Sequence, residues 1–146
     1  MGQEEVCNAH MANTECQVGG RFRRCRATPS HVCQYCARDF CDHHSYHVKG
    51  YEAVCTRKRC ALKHDDLQRH MEYKAEVQGR NKSGQCGEPG CESLHPPGQC
   101  SLCRGFFCNA HLQDRSYPMH DGWVKVDKHV SICAWCWDRR KIWQRR

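Results

Sequence analysis

The sequence predicts a small α+β fold built as two tandem units of similar design. Three observations lead to this prediction. The spacing Cys-x2-Cys-x4-Cys-x2-His occurs twice, at residues 33–44 and 100–111. A phenylalanine, Phe40 or Phe107, directly precedes the third cysteine of each copy. Two further cysteine pairs flank each copy, so one unit repeated accounts for the whole pattern.

The chain has too few apolar residues to form an ordinary hydrophobic core. Leu, Ile, Val and Phe make up about 14% of its 146 residues, below the roughly 20% under which chains tend to be disordered. Such a chain cannot bury enough apolar surface to offset its ordering entropy. The sequence does contain 15 cysteines and 11 histidines, and metal ligation folds zinc fingers that are unstructured without it.

Metal ligation fits these cysteines better than disulfide bonding. Their number is odd, the N-terminus carries no apolar signal segment, and His44 and His111 occupy equivalent places where disulfides need no histidine. A redox Cys-x-x-Cys is less well supported, because no βαβ pattern surrounds any pair. Zinc takes four sulfur or nitrogen ligands, so we predict four Zn²⁺ ions per chain, two in each unit.

Each unit contributes eight predicted ligands. In the first unit these are Cys16, Cys25, Cys33, Cys36, Cys41, His44, Cys55 and Cys60. In the second they are Cys86, Cys91, Cys100, Cys103, Cys108, His111, Cys133 and Cys136. His43 and His47 compete with His44, which is preferred because it aligns with His111, and His129 competes at the last pair. Cys7 and His10, in another Cys-Asn-Ala-His, lie outside both sets.

The predicted elements follow this division of the chain. Residues 1–15 form an N-terminal tail. The first unit, 16–77, begins with a hairpin at Gly19-Gly20 that would bring Cys16 and Cys25 together, and it ends in a helix over 61–77. Residues 78–84 read as a linker by composition. The second unit, 85–146, carries a long insert at 112–132 with a strand at 123–126, followed by a basic helix over 136–146.

Charge points to local surfaces rather than to a generally basic protein. The formal net charge is +7, but four Zn²⁺ ions and fourteen thiolates would reduce it to about +1. We expect Trp135, Ile142 and Trp143 to face inward on the last helix and its cations to face solvent. The candidate partner-binding residues are Arg21, Arg23, Arg24, Arg139, Arg140, Lys141, Trp143, Arg145 and Arg146.

The run Cys-x2-Cys-x3-Phe-Cys-x2-His between two outer cysteine pairs resembles the treble-clef zinc fingers of the FYVE, AN1 and B-box domains, and more distantly RING. The resemblance covers residues 16–60 and 86–136. It implies a cross-brace, in which the first and third pairs of a unit share one ion and the second and fourth pairs share the other. Spacing alone leaves open a sequential arrangement, in which Cys33, Cys36, Cys41 and His44 would share one ion.

Three functions remain open from the sequence. The first is a non-enzymatic scaffold or adaptor that binds another protein; the alternatives are a zinc-finger protein that binds RNA or DNA, and a RING-like ubiquitin-ligase module. We expect no enzyme, because the ligands count out in fours and no H-E-x-x-H motif is present. A phosphoinositide partner is not expected, because residues 30–34 and 98–101 lack the arginines of FYVE domains. No stretch is long enough to span a membrane, and we expect an intracellular location.

Overall fold

The computed structural model describes residues 14–20 and 22–144. Over these residues the chain is a small α+β protein with four two-stranded antiparallel sheets and two α-helices. It divides into two compact units, with the boundary between Asp65 and Asp66 inside the first helix. Neither of the two described helices is long and apolar enough to cross a membrane, as the sequence led us to expect.

The first unit is built from two short hairpins and the start of a helix. Strand β1 (His31–Val32) pairs with β2 (Asp39–Phe40), a 3-10 turn covers Asp42–His44, and β3 (Ser45–Lys49) pairs with β4 (Glu52–Cys55). Helix α1 (Lys58–Lys82) follows. The hairpin predicted at Gly19-Gly20 is reduced to one bridge between Gly20 and Arg23. The core consists of cysteines packed around Val18, Phe40 and Val54.

Helix α1 is longer than predicted at both ends. It runs through Lys82, so residues 78–82 of the predicted linker are helical. A lone Gly79 costs a helix only about 1 kcal/mol, and contacts with the following chain offset that cost. The guanidinium of Arg80 donates to the Cys86 and Cys91 carbonyls, and Asn81 bonds to the backbone of Phe106.

The second unit repeats the plan of the first with one longer hairpin. Strand β5 (Gly98–Gln99) pairs with β6 (Phe106–Phe107), and β7 (Leu112–Asp121) pairs with β8 (Val124–Cys133). Helix α2 (Ala134–Gln144) begins two residues before its predicted start. The predicted insert is therefore the long β7–β8 hairpin. The core contains Phe107 and Ile132 together with Tyr73 and Val77 of α1, which the sequence-based boundaries place in the first unit.

The longer hairpin of each unit ends in the same two-residue turn. Gly50-Tyr51 joins β3 to β4, and Gly122-Trp123 joins β7 to β8. The glycines have φ of +59° and +62°, whereas neither aromatic residue has a positive φ. A positive φ at the first turn residue alone is the pattern of a type II′ turn, which requires glycine there and matches the twist of the flanking strands.

Helix α2 packs on the part of α1 that belongs to the second unit. The buried carboxylate of Asp66 accepts hydrogen bonds from the Arg139 guanidinium at 2.7–3.1 Å and from the Trp143 indole at 2.7 Å. Burial raises the pKa of Asp66, but the hydrogen bonds from Arg139 and Trp143 lower it below its ordinary value. The Trp135 ring stacks on Tyr73 at 4.6 Å, as its predicted inward orientation requires.

The prediction that every cation of α2 faces solvent is wrong for Arg139. Its side chain is only 18% exposed because it pairs with Asp66. The neighbouring Arg140 lies with its guanidinium carbon 3.5 Å from the centre of the Trp137 ring. The periodicity of α2 could not reveal these partners, since Asp66 lies 73 positions earlier in the chain.

Candidate metal centres

The structure brings the sixteen predicted ligands together in four groups of four. Within each group, all ligand atoms lie within 4.8 Å of one another. The first unit holds Cys16, Cys25, Cys41 and His44 in one group and Cys33, Cys36, Cys55 and Cys60 in the other. The second unit groups Cys86, Cys91, Cys108 and His111, and then Cys100, Cys103, Cys133 and Cys136. This is the cross-brace arrangement and not the sequential one.

The distances inside the groups suit a tetrahedral metal ion. Four sulfur–sulfur pairs are separated by 3.7–3.9 Å. Two sulfurs bound at about 2.3 Å to one tetrahedral Zn²⁺ lie about 3.8 Å apart. A disulfide would need about 2.05 Å, and all fourteen described cysteines are free. The four groups could therefore each hold a metal ion, and zinc fits this donor set.

A tight turn positions the two cysteines of the central Cys-x-x-Cys pair in each unit. The backbone N–H of Ala37 donates to the Cys33 carbonyl at 2.8 Å, and that of Arg104 donates to the Cys100 carbonyl at 3.0 Å. Ala37 and Arg104 both have a left-handed backbone, with φ of +55° and +64°. A non-glycine residue reaches this conformation only at a cost, so the turn holds both residues under strain.

In all four groups the first cysteine sulfur accepts the backbone N–H of the third ligand. The donor and acceptor pairs, at 3.3–3.5 Å, are Cys41 to Cys16, Cys55 to Cys33, Cys108 to Cys86 and Cys133 to Cys100. An N–H that points at a sulfur favours the thiolate, which is the form that binds metal. The same backbone-to-sulfur contact therefore recurs in every group.

The two groups that contain histidine also share an electrostatic feature. Burial raises the pKa of the Cys41 thiol, but hydrogen bonds with the side chain and backbone of His44 lower it to about 6. Burial likewise raises the pKa of Cys108, which hydrogen bonds with the Ala110 backbone and the His111 side chain lower to about 6. In both groups the histidine side chain thus favours the thiolate, the form of cysteine that binds a metal ion.

The group formed by Cys100, Cys103, Cys133 and Cys136 is the most enclosed of the four, since all its members are buried. The hydroxyl of buried Tyr73 donates to the Cys133 sulfur at 3.5 Å. Burial and this bond raise the pKa of Tyr73, which keeps the hydroxyl a donor. Tyr73 was not predicted from the sequence, because no local pattern marks a contact across 60 positions.

The competing histidines lie apart from the four groups. His43 is exposed, His47 pairs with Glu52 and stacks on His64, and His129 is exposed on β8. Cys7, His10, Arg21, Arg145 and Arg146 fall outside the described residues. The preference for His44 over its neighbours therefore agrees with the geometry.

The predicted partner-binding residues occupy very different environments. Arg23 and Arg24 are exposed next to Phe22, whose side chain is almost fully exposed, and Lys141 is exposed on α2. In contrast, Arg139 pairs with Asp66 and Arg140 lies over the Trp137 ring, both within the second unit. Two exposed aromatic residues, Tyr51 and Trp123, were not among the predicted residues. A glycine–aromatic dipeptide between two alternating segments is the signal that would have found them.

Comparison with known proteins gives no match among family models, curated proteins or solved structures. What the chain shares with zinc fingers is therefore the four cysteine and histidine groups themselves. Any more specific assignment depends on the surfaces that surround these groups.

Proposed function

We propose that this chain is a non-enzymatic zinc-binding scaffold or adaptor, built from two treble-clef-like units that each bind two Zn²⁺ ions. Each group supplies four ligand atoms, which suits a closed structural zinc site. A catalytic zinc keeps one position open for water or substrate. Bound zinc would tie the hairpins and helix of each unit together. Thiolate clusters need a reducing environment, so we place the protein inside the cell.

One observation carries the proposed binding role: Tyr51 and Trp123 are fully exposed at matched hairpin turns. A large aromatic side chain in that position contributes nothing to the core. Tyr and Trp are, however, among the residues that dominate binding energy at protein interfaces. Strands β4 and β8 end in the ligands Cys55 and Cys133. Zinc would therefore fix the base of each hairpin and preorganise its aromatic tip for binding.

The proposed role can be tested by affinity capture with the full zinc-loaded chain as bait. The test variant is Y51S/W123S, and the matched control is L94S, which removes another exposed apolar side chain. We expect the double variant to keep its zinc and to capture its specific protein partners at least about tenfold more weakly, the effect of removing hot-spot residues. L94S should capture the same partners as the natural chain.

An unchanged set of captured proteins for Y51S/W123S would overturn the assignment of the hairpin tips. We do not propose a RING-like ligase, because RING domains place their histidine earlier in the ligand order than His44 and His111. Nucleic-acid binding is favoured by a different surface, which lies in the second unit.

A further inference from the structure

The second unit contains a basic cleft beside its Cys-x-x-Cys turn. The cleft measures about 410 Å³ and lies between the last turns of α1 and residues 103–106. Three cationic residues line it, Lys74, Lys82 and Arg104, together with Phe106. None of the described residues that line this cleft is acidic. Its surface is therefore complementary to an anion.

The helical side of the cleft is a regular row. Lys74, Gln78 and Lys82 are spaced four residues apart on α1 and so share one face. The two lysines are separated by about 12 Å along the helix axis, given a rise of 1.5 Å per residue. Arg104 contributes a third cation from the opposite wall. Positive charge is thus spread along the cleft instead of converging on one point.

The aromatic member of the cleft is held in place. Phe106 is 44% exposed, whereas Phe107 beside it on β6 is completely buried. The Phe106 N–H donates to Oδ1 of Asn81 at 2.9 Å, and Nδ2 of Asn81 donates to the Phe106 carbonyl at 2.9 Å. The helix that carries the lysines therefore also fixes the strand that carries the ring. The aromatic residue and the cationic residues therefore line the same cleft.

We propose that this cleft binds single-stranded nucleic acid, with a base stacked on Phe106 and backbone phosphates contacting Lys74, Lys82 and Arg104. Proteins that bind single strands combine a positive groove with exposed aromatic side chains, because every base offers a ring face and every linkage a charge. A site for a phosphopeptide would need several cations directed at one phosphate. The two lysines lie about 12 Å apart along α1, so they do not converge on one point.

The first unit provides an internal control for this proposal. Ala37, Arg38 and Asp39 stand where the second unit has Arg104, Gly105 and Phe106. Asp39 is 5% exposed, and its backbone N–H donates to the side chain of Gln17 at 3.0 Å. The position that holds the exposed ring in one unit thus holds a buried carboxylate in the other. The matched turn of the first unit, as far as the structure describes that unit, therefore offers no equivalent stacking position.

The test is fluorescence anisotropy of the full zinc-loaded chain with a fluorescein-labelled oligouridylate of about 12 nucleotides, a length within known site sizes. F106A should weaken binding between about 5- and 150-fold, the range found when one stacking interaction is removed. F106W should retain it. K74Q/K82Q should weaken binding and flatten the plot of log affinity against log salt by about 0.7 for each phosphate that the variant no longer neutralises.

The matched controls lie outside the cleft. K125Q/K128Q removes two exposed lysines of the β7–β8 hairpin, and L94A removes an exposed apolar side chain of the second unit. Both should bind the oligonucleotide as the natural chain does. Every variant is checked for unchanged zinc content, so that a folding defect is not mistaken for weaker recognition of the strand. Because the hairpin-tip variants test protein capture and the cleft variants test oligonucleotide binding, the two proposals can fail independently.

Several results would overturn the proposal. Affinity that F106A leaves unchanged, or inorganic polyphosphate that binds as tightly as the oligonucleotide, would show a simple polyanion surface. Preferential binding of a phosphopeptide would assign the cleft to another class of ligand. A parallel measurement with an oligodeoxynucleotide of the same length distinguishes RNA from DNA, and saturation by free uridine monophosphate at equal affinity would reject a polymeric ligand.

Discussion

The two units hold their ligand groups by the same means but cover the central turn differently. In the second unit, α1 lies over the turn, where a Cβ atom on Gly105 would come within 2.3 Å of Cγ1 of Val77. Only glycine permits this approach. In the first unit the matched residue is Arg38, and its guanidinium donates to the Gln17 carbonyl at 3.5 Å. The ligands thus determine the repeated fold, and the residues between them determine which surface each unit presents.

The largest expected loss of stability is the same for both units, because removal of metal should unfold each of them. Each unit has only a small apolar core, with Val18, Phe40 and Val54 in the first. Structural zinc contributes about 10–16 kcal/mol per ion in zinc-finger peptides near neutral pH. Elemental analysis of protein purified without added metal should give four zinc ions per chain. A circular dichroism spectrum that stays folded after complete chelation would contradict this dependence on metal.

The next prediction separates the units. Cys41→Ser and Cys108→Ser remove equivalent ligands, the third of the first pairing in each unit. Because every group closes within its own unit, each variant should lose metal and structure from that unit only. Zinc stoichiometry combined with limited proteolysis checks this, with Cys7→Ser as a control that should keep all four ions.

Loss of all four ions from either variant would show that the units depend on each other. Retention of all four would show instead that a serine oxygen or a water substitutes for the thiolate. In that case Cys41 and Cys108 would not be essential ligands. The pair of variants therefore tests the ligand assignment as well as the independence of the units.

The ligands could be predicted from the sequence because their spacing is a local signal. Two cysteines separated by two residues must lie on one turn, and the repeat of eight ligands shows which residues of the two units correspond. The resemblance to cross-brace fingers then indicated the pairing that the geometry shows. These sequence signals do not depend on a hydrophobic core, because metal ligation, and not the burial of periodic apolar residues, organises the fold.

The parts that could not be predicted depend on contacts between distant segments. The sequence predicts a linker at the end of α1 because Gly79 and polar residues dominate there. The bonds between Asn81 and Phe106 that stabilise the helix end cross 25 positions. The inward orientation of Arg139 depends in the same way on Asp66. The fold class was within reach of the sequence, whereas the surfaces that distinguish the units were not.

Substitutions at the matched positions 105 and 38 of the central turn should have smaller effects, and these should differ between the two units. Gly105→Ala forces a methyl group against Val77, and overpacking of this kind costs typically 1–3 kcal/mol. Arg38→Ala in the first unit removes only a long hydrogen bond at an exposed site, so its effect should stay within about 0.5 kcal/mol. Urea unfolding of the zinc-loaded variants measures both. Equal losses of stability in the two variants would mean that α1 does not cover the turn as described.

The smallest expected gain in stability comes from glycine at the matched positions 37 and 104. The two substitutions should change stability alike but affect binding differently. Ala37 and Arg104 have φ of +55° and +64°, a conformation that costs a non-glycine residue about 1–2 kcal/mol. Glycine relieves that strain, but the greater conformational entropy of the unfolded chain lowers stability by about 0.4–1 kcal/mol. Ala37→Gly and Arg104→Gly should therefore each stabilise their unit by about 0.5–1 kcal/mol, measured by urea unfolding with zinc bound.

The two variants should differ in their affinity for the oligonucleotide. Arg104→Gly removes one of the three cations in the cleft, so it should bind more weakly while folding more stably, with the salt slope flattened by about 0.7. Ala37→Gly should leave binding unchanged. If Arg104→Gly gained stability and kept full affinity at low salt, Arg104 would not contact a phosphate. The proposed phosphate contacts of the cleft would then be reduced to Lys74 and Lys82. If it lost stability, the Arg104 side chain would have a structural role that outweighs its backbone strain.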